Sequence, residues 1–163
     1  MKIPFLTRPV EFAVERLGED DAGLLPAIHG EDFARAWSEH EFETLIGQQA
    51  VFGFGVWRVG HRAEAPAGFV LARLAAGEAE ILTIAVARAW RRHGLGRELM
   101  EAVLRHLHAE RAEVLFLEVE ETNQPAVALY RRLGFTEVGR RPGYYGEPGM
   151  EKTAALIMRR DTL

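Results

Sequence analysis

The stretch "EAEILTIAVARAWRRHGLGRELM", residues 78–100, joins an apolar segment to an amphipathic one through a basic turn that contains glycines. Residues 78–87 place apolar side chains on both faces of an extended chain, a pattern typical of a central strand. Beyond Gly94, leucine or valine recurs at every fourth position, which forms one apolar stripe of a helix reaching about Arg111. The stretch therefore predicts a strand, a turn and a helix in succession.

The segments around this stretch also alternate between strand and helix patterns. Residues 10–18 predict a first strand, and residues 19–47 predict two helical pieces separated near Pro26 and Gly30. Two apolar segments joined by a polar loop then favour a hairpin. After the central helix come a buried strand, a short helix that ends at Gly134, and two closing strands. This order predicts a mixed α/β sheet.

Composition limits the class of protein. The length of 163 residues suits one domain, and 20 Lys and Arg against 24 Asp and Glu argue against a general nucleic-acid binder. The sequence contains no cysteine, which excludes disulfides and thiolate chemistry. No apolar run approaches the roughly 20 residues of a membrane span, and the N-terminal residues make a poor signal peptide. We therefore expect a cytoplasmic protein that binds neither membrane nor nucleic acid.

The basic turn with its glycines has the layout of an anion site. Unpaired N–H groups at a helix N-terminus attract phosphates, and glycine lets the backbone approach them closely. A dinucleotide fingerprint is excluded because Leu99 stands at its third glycine, and a Walker loop is excluded because Arg97 and Glu98 follow Gly96. A simple helix entry at Gly94, flanked by solvated arginines, explains the same residues equally well, so both interpretations stay open.

A second group of chemically useful residues follows in "LFLEVEETNQPAVALYRRLGF", residues 115–135. Glu118 shares a strand face with apolar residues, and we expect this setting to desolvate the carboxylate partly and suit it to proton abstraction. Asn123 stands where the next helix begins, and Tyr130 lies two turns further on the same side. The simpler roles are an ion pair for Glu118, a helix cap for Asn123 and core packing for Tyr130.

Together, these segments resemble the motifs of the GCN5-related N-acetyltransferase (GNAT) superfamily. "RRHGLG" is similar to its Arg/Gln-x-x-Gly-x-Gly/Ala motif, and "NQPAVALYRRLGF" is similar to its Asn-x-x-Ala-x-x-x-Tyr-x-x-x-Gly-Phe helix. The combination, with "FARAWSEHEF" near the N-terminus and the late "AALIM", looks most like the ribosomal-protein-alanine N-acetyltransferases. The resemblance runs from about Val10 to Arg159.

The resemblance implies a fold and a co-substrate. The fold is a mixed, mostly antiparallel central sheet of six to seven strands with helices on both faces, within one domain spanning residues 1–163. The co-substrate is acetyl-CoA, whose pantetheine arm should pair with main-chain groups of Ile84, Ala85 and Val86, while Asn123 should hydrogen-bond it. Its pyrophosphate should be held by the backbone N–H groups of Arg92, His93, Gly94, Leu95, Gly96 and Arg97.

The resemblance also implies the catalytic residues. A glutamate at the position of Glu118 is the general base in this branch, and a tyrosine at the position of Tyr130 is the acid. A base is chemically required, because an α-amine with a pKa of about 8 is only roughly one-tenth neutral at pH 7. A strand N–H near Val86 could polarise the thioester oxygen.

The acceptor is expected to be the N-terminal amine of a protein, such as a ribosomal protein. Trp37, Tyr144 and Tyr145 are candidate aromatic walls for it, and residues 1–9 are expected to be a flexible extension. A small-molecule amine acetyltransferase is the main alternative, and a non-catalytic acyl-CoA sensor is a weaker one. No metal is expected, because the histidines considered lack ligand spacing: His29, His40, His61, His106 and His108.

Overall fold

Seven strands form one sheet in the computed structural model, which describes residues 8–143 and 153–163. The strands are β1 Phe12–Arg16, β2 Val51–Arg58, β3 Gly68–Ala75, β4 Glu78–Val86, β5 Val114–Glu120, β6 Thr136–Arg141 and β7 Ala155–Asp161. Their order across the sheet is β1-β2-β3-β4-β5-β7-β6, and β4–β5 is the parallel pair. The other five neighbouring pairs are antiparallel, which confirms the predicted mixed, mostly antiparallel sheet.

Helices cover both faces of this sheet. They are α1 Pro26–Asp32, α2 Glu39–Ile46, α3 Leu95–Ala109 and α4 Gln124–Arg132, and short 3-10 turns occupy Glu19–Leu24 and Arg88–Trp90. One apolar cluster joins α3 and α4 to the sheet, and a second joins α1 and α2 to the other side. We call these two sides the α3/α4 face and the α1/α2 face.

The predicted stripe of α3 is confirmed as the centre of the α3/α4 core. Leu95, Leu99, Val103 and Leu107 are all buried, and they pack with β5 residues such as Leu115. The spacing of four positions keeps these side chains on one side of the helix, so that they can cover the sheet together. The helix ends at Ala109, two residues before the predicted position, and the chain then turns through a positive φ of 56° at Arg111.

The parallel pair β4–β5 separates partway along its length. Only Glu78–Glu80 pair with Val114–Phe116, although β4 continues to Val86 and β5 to Glu120. From Leu117 onward β5 keeps its antiparallel partner β7, so no described strand pairs with the edge of β4 beyond Glu80. We call the gap between residues 81–86 and residues 117–120 the slot.

A β-bulge lies on β4 where the slot begins. The pairing with β3 shifts because Leu71 faces Thr83 while Ala72 faces Ile81, which leaves Leu82 as the extra residue. As a result, Ile81 and Ile84 both pack against the α3/α4 core, although residues three apart in a regular strand point to opposite faces. The bulge therefore changes which side chains β4 presents to each face within the slot.

The helical boundaries before β2 differ from the prediction. Pro26 begins α1, where its missing N–H costs nothing, and Gly30 lies inside that helix. The break falls at residues 33–38 instead, because Ser38 and Glu41 form a reciprocal capping box that starts α2. Trp37 consequently lies in the linker before α2, within the stretch where the sequence predicted the second helical piece. Of the helices in the described residues, none is both long and apolar enough to cross a bilayer.

Candidate active site

The β4 edge of the slot carries the three residues predicted to pair with pantetheine. Ile84, Ala85 and Val86 pair with β3 on their other side. The Ala87 N–H donates to the Ala67 carbonyl at 2.8 Å, so the neighbouring N–H of Val86 points the other way, into the slot. The same alternation directs the N–H of Ile84 into the slot. This edge therefore offers backbone donors to an extended ligand.

The predicted anion cradle lies at the N-terminus of α3, directly after β4 and its 3-10 turn. Gly94 is the N-cap and adopts a left-handed conformation with a φ of 72°, with no atom within 4 Å of a Cβ built on it. Arg92 also has a positive φ of 67°. Alternating left- and right-handed backbone at the first turn of a helix directs successive N–H groups to one point, which suits an anion.

The arginine side chains beside this cradle contact carboxylates of the protein. Arg97 bonds Glu101 at 2.9 Å along α3, and Arg91 pairs with Asp32 at the end of α1. These contacts agree with the interpretation of the arginines as a surface face. The backbone N–H groups of residues 92–97 are thus the better candidates to bind a phosphate.

Asn123 begins α4 as a side-chain cap. Its Oδ1 accepts a hydrogen bond from the Ala126 N–H at 3.3 Å, so capping accounts for one side of its amide. The start of α3 touches α4, because a Cβ on Gly96 would lie 3.5 Å from Leu129. Asn123 and the cradle therefore belong to neighbouring helices on the α3/α4 face, with the amide nitrogen of Asn123 on an exposed residue.

Tyr130 lies on α4 and is buried in the α3/α4 core. Its ring packs edge-on against Phe135 with the centroids 5.8 Å apart, and the side chain joins the cluster that includes Leu117 and Val119 of β5. Burial raises the pKa of Tyr130 to about 12, because an anion is poorly solvated there. The hydroxyl therefore stays protonated throughout the neutral range and can act as a proton donor.

Glu118 does not occupy the desolvated setting that the sequence predicted. The side chain is 45% exposed and forms an ion pair with Arg141 at 2.8 Å. The expectation was wrong because the α1/α2 face is not covered at Glu118, where β5 no longer pairs with β4 and borders the slot. The carboxylate is held by a cation at the end of β6 and stays accessible to a ligand.

Glu118 and Tyr130 lie on opposite faces of the sheet. Leu117 and Val119 point into the α3/α4 core with Tyr130, so Glu118 between them points to the α1/α2 face. Glu118 belongs to the β5 edge of the slot, and Tyr130 packs in the same apolar cluster as Leu117 and Val119 of that edge. The two candidate proton-transfer groups thus lie on either side of the sheet at β5.

Comparison with known proteins identifies the family. The acetyltransferase (GNAT) family matches residues 24–135. The chain is 36% identical over 124 residues to the ribosomal protein bS18-alanine N-acetyltransferase of Escherichia coli K12, which covers 75% of this chain and 80% of that protein. The chain belongs to the GNAT family of acetyltransferases.

A solved structure and one further relative agree with this membership. The crystal structure of the Escherichia coli ribosomal-protein-S18-alanine N-acetyltransferase superposes with a TM-score of 0.83 at 29% identity, and covers 93% of this chain and 94% of that one. The N-alpha-acetyltransferase RimI of Mycobacterium tuberculosis is 41% identical over 85 residues, 52% of this chain and 50% of that protein. The protein is an acetyl-CoA-dependent N-acetyltransferase.

The residues present fit the co-substrate of this family. Acetyl-CoA is an extended molecule with a pyrophosphate, and the slot and cradle offer a strand edge followed by a helix N-terminus in the same order. The open space around Gly94 lets a phosphate approach its backbone. Within residues 8–143 and 153–163, no group of three or more His, Asp or Glu side chains could hold a metal ion.

An aromatic cluster on the α1/α2 face surrounds Trp37, one of the predicted aromatic walls for the acceptor. Its backbone N–H donates to Nδ1 of buried His29 at 3.1 Å, and its ring stacks on the imidazole with the centroids 4.8 Å apart. Phe33 stacks on the other side of His29 at 4.1 Å, and Phe42 meets its edge at 5.6 Å. The linker before α2 is thereby fastened to α1.

The other two predicted aromatic walls, Tyr144 and Tyr145, lie outside the described residues, as do residues 1–7 of the predicted extension.

A surface pocket of about 300 Å³ adjoins this cluster. Its wall includes Trp37 and residues on successive turns of α2: His40, Glu41, Thr44 and Leu45. Pockets of this size accept small ligand groups. Trp37 therefore connects the aromatic cluster to an open pocket.

Sequence reasoning missed two polar residues buried on the α1/α2 face. His29 was examined only for metal ligation, although its place one helical turn before Phe33 could have suggested stacking. Thr83 lies within an apolar strand pattern and gave no signal. Its burial beside a bulge depends on tertiary pairing, which no local pattern reveals.

Proposed function

We propose that this acetyltransferase modifies the α-amine of a protein N-terminus, in its specific form an alanine-starting ribosomal protein. The observation that carries the proposal is that Glu118, at the edge of the slot, and Tyr130, packed against the same strand, lie on opposite faces of the sheet. The names of the relatives from Escherichia coli and Mycobacterium tuberculosis support the same acceptor class. A cytoplasmic location suits a newly made protein as acceptor and is part of this proposal.

The co-substrate binds along the edge of β4 and at the start of α3. Main-chain groups of Ile84, Ala85 and Val86 hold the pantetheine arm, and the N–H groups of residues 92–97 hold the pyrophosphate. Support comes from the N–H of Val86, which the strand alternation directs into the slot. The exposed amide of Asn123, opposite the cradle on α4, adds a side-chain hydrogen bond.

Proton transfer is divided between the two faces. Acetyl-CoA, when bound, supplies an activated acetyl thioester in the slot. Glu118 takes one proton from the acceptor ammonium, directly or through one water, which leaves the amine able to attack. The N–H of Val86 hydrogen-bonds the acetyl oxygen as negative charge develops on it.

Tyr130 completes the reaction on the α3/α4 face. As the new N–C bond forms and the C–S bond breaks, the hydroxyl gives its proton to the departing sulfur. The pKa of about 12 keeps this proton in place until then. The acceptor nitrogen loses its second proton as it becomes an amide, and water carries a proton back to the tyrosinate. The tyrosinate is a stronger base than the thiolate, because a thiol has a pKa of about 8.5.

The acceptor enters from the α1/α2 face. Glu118 is accessible there, and Arg141 holds its carboxylate without burying it. Trp37 and the adjoining pocket offer an aromatic wall and a cavity of about 300 Å³ for the residues that follow the amine. Tyr144 and Tyr145 are proposed as further walls of the same entrance.

The decisive experiment compares acceptors with the wild-type enzyme. We expect mass spectrometry to find one acetyl group on the α-amine of peptides that begin with alanine, including one with the N-terminal sequence of a ribosomal protein S18. The same peptide with a blocked N-terminus is the matched control and should remain unmodified, even if it contains lysine. Faster acetylation of polyamines or aminoglycosides than of any alanine-starting peptide would replace the proposal with a small-molecule acceptor.

A further inference from the structure

Thr83 holds a buried hydroxyl to which no residue of the described chain is hydrogen-bonded. The residue is only 6% exposed, and its Oγ1 has no hydrogen-bond partner among the residues that the structure describes. A buried hydroxyl without a partner destabilises the folded state, because folding removes its hydrogen bonds to water. Valine has the same shape and would avoid that cost. The hydroxyl at this position is therefore better explained by a role in binding than by a role in folding.

The other buried threonine of the described chain shows the usual arrangement. Thr162 is 5% exposed, and its Oγ1 donates to the Ala112 carbonyl at 2.6 Å. This bond joins the residue after β7 to the turn between α3 and β5, outside β4 and the slot. The two side chains are equally buried, yet within residues 8–143 and 153–163 only Thr162 has a hydrogen-bond partner. This difference supports a ligand as the partner of Thr83.

Thr83 borders the slot on the same face as Glu118. It faces Leu71 on β3, which packs into the α1/α2 core, and directly opposed residues of neighbouring strands share a face. Continuing the β4–β5 register past Glu80 and Phe116 brings Leu82 and the bulged Thr83 level with Glu118. The hydroxyl and the carboxylate therefore stand across the slot from one another.

We propose that Thr83 Oγ1 accepts a hydrogen bond from the acceptor amine and fixes the nitrogen opposite Glu118. The inference rests on the proposed function, because the ligand is the amine that Glu118 deprotonates. An α-ammonium has three N–H groups, so it can donate to both side chains at once. The bulge at Leu82 is what brings this hydroxyl to the acceptor side, since without it Thr83 would point to the α3/α4 core.

The test separates stability from catalysis with two substitutions at one position. Thr83→Val keeps the shape and removes the hydroxyl, so we expect an equal or higher Tm together with about a tenfold loss of kcat/KM for the peptide. Thr83→Ser keeps the hydroxyl and removes a methyl group, so we expect a lower Tm with kcat/KM within about threefold of wild type. The increase in Tm on adding CoA should be the same in wild type and both variants.

Thr162→Val is the matched control. It should lower the Tm, because the Ala112 carbonyl loses its donor, while kcat/KM for the peptide stays at the wild-type value. Thr83→Val with wild-type kcat/KM, or with a Tm lowered as much as that of Thr162→Val, overturns the role of Thr83. If the wild-type enzyme acetylates no peptide, the acceptor class fails instead, and the two failures are distinguishable because the first requires an active wild type.

Discussion

The two faces of the sheet differ in how they use polar groups. The α3/α4 face has an apolar core in which Tyr130 is buried, and its proposed contacts with acetyl-CoA come mainly from backbone N–H groups. The α1/α2 face buries polar side chains, among them His29 and Thr83, and carries the accessible Glu118. Backbone groups can bind the same co-substrate with many different side chains around them, whereas side chains distinguish acceptors. Under the proposed function, co-substrate binding therefore depends on one face and acceptor selection on the other.

The largest effect is expected on the acceptor face, at Glu118. Glu118→Gln keeps the shape but removes the base, so kcat should fall by about 10²–10⁴-fold at pH 7. Stabilisation by CoA, measured as the increase in Tm, should stay close to the wild-type value because the proposed contacts with CoA lie on β4 and α3. The deficit should shrink above pH 8, where the α-amine with its pKa of about 8 is largely neutral without help.

Glu121 provides the matched control for this variant. It is also a glutamate in an ion pair, with Arg140 at 2.8 Å, and it lies just beyond β5. Glu121→Gln removes the same charge and should leave kcat unchanged. If both variants lose activity equally, the effect is one of net charge and Glu118 is not the base.

On the co-substrate face, Gly94→Val should abolish most of the increase in Tm that CoA causes. A β-branched residue is strained at the φ of 72° found there, and its side chain would fill the open space above the cradle. The strain itself should lower the free energy of unfolding by about 1–2 kcal/mol. Differential scanning calorimetry with and without CoA measures both quantities.

A substitution at Gly60 is the control that separates the effect of backbone strain from the loss of CoA binding. Gly60 also has a positive φ, 86°, with nothing within 4 Å of a built Cβ, but it lies between β2 and β3. Gly60→Val should destabilise the protein to a similar degree and keep the CoA-dependent increase in Tm. Should Gly94→Val retain that increase as well, the N-terminus of α3 does not bind the pyrophosphate.

Tyr130→Phe should lower kcat by about a hundredfold, the lower end of the range for a positioned acid. The ring and its edge-on contact with Phe135 remain, so the Tm should change little. Because the hydroxyl acts on the leaving sulfur, the KM for the peptide should stay constant. If Tyr130→Phe keeps the wild-type kcat under conditions where chemistry limits the rate, Tyr130 is not the acid.

The sequence predicted the helices and strands better than the surroundings of individual side chains, for a physical reason. Periodicity determines strands and helices, and the stripe of Leu99, Val103 and Leu107 was confirmed because helical spacing is local. The exposure of Glu118 and the burial of Thr83 depend on where two strands separate and where one bulges. Those features arise from pairing between distant segments, so no window of sequence contains them.

The smallest expected effect concerns pH, and it compares one histidine from each face. Burial lowers the pKa of His29 below 6.5, although the nearby carboxylates of Asp32 and Glu41 oppose this shift. Burial also lowers the pKa of His106 on α3. The charge of Arg16 lowers it further, and Glu110 partly offsets both effects. In the unfolded chain each histidine binds a proton near pH 6.5, while the folded protein resists it. The free energy of unfolding is therefore highest above pH 6.5 and falls as the pH drops toward the folded pKa, by at most about 1.4 kcal/mol per pH unit for each histidine.

His29→Phe and His106→Phe distinguish the faces in this respect. Each substitution keeps an aromatic ring and removes one titration, so each should flatten the dependence of the free energy of unfolding on pH between 5 and 6.5. His29 should contribute more, because it is 1% exposed and protonation of Nδ1 would also break its bond from the Trp37 N–H. In the wild type, loosening of that linker at low pH should raise the KM for the peptide while the CoA-dependent increase in Tm persists. An equal flattening by both substitutions, with a KM independent of pH, would mean that the Trp37 linker does not depend on His29 and that the two faces respond alike.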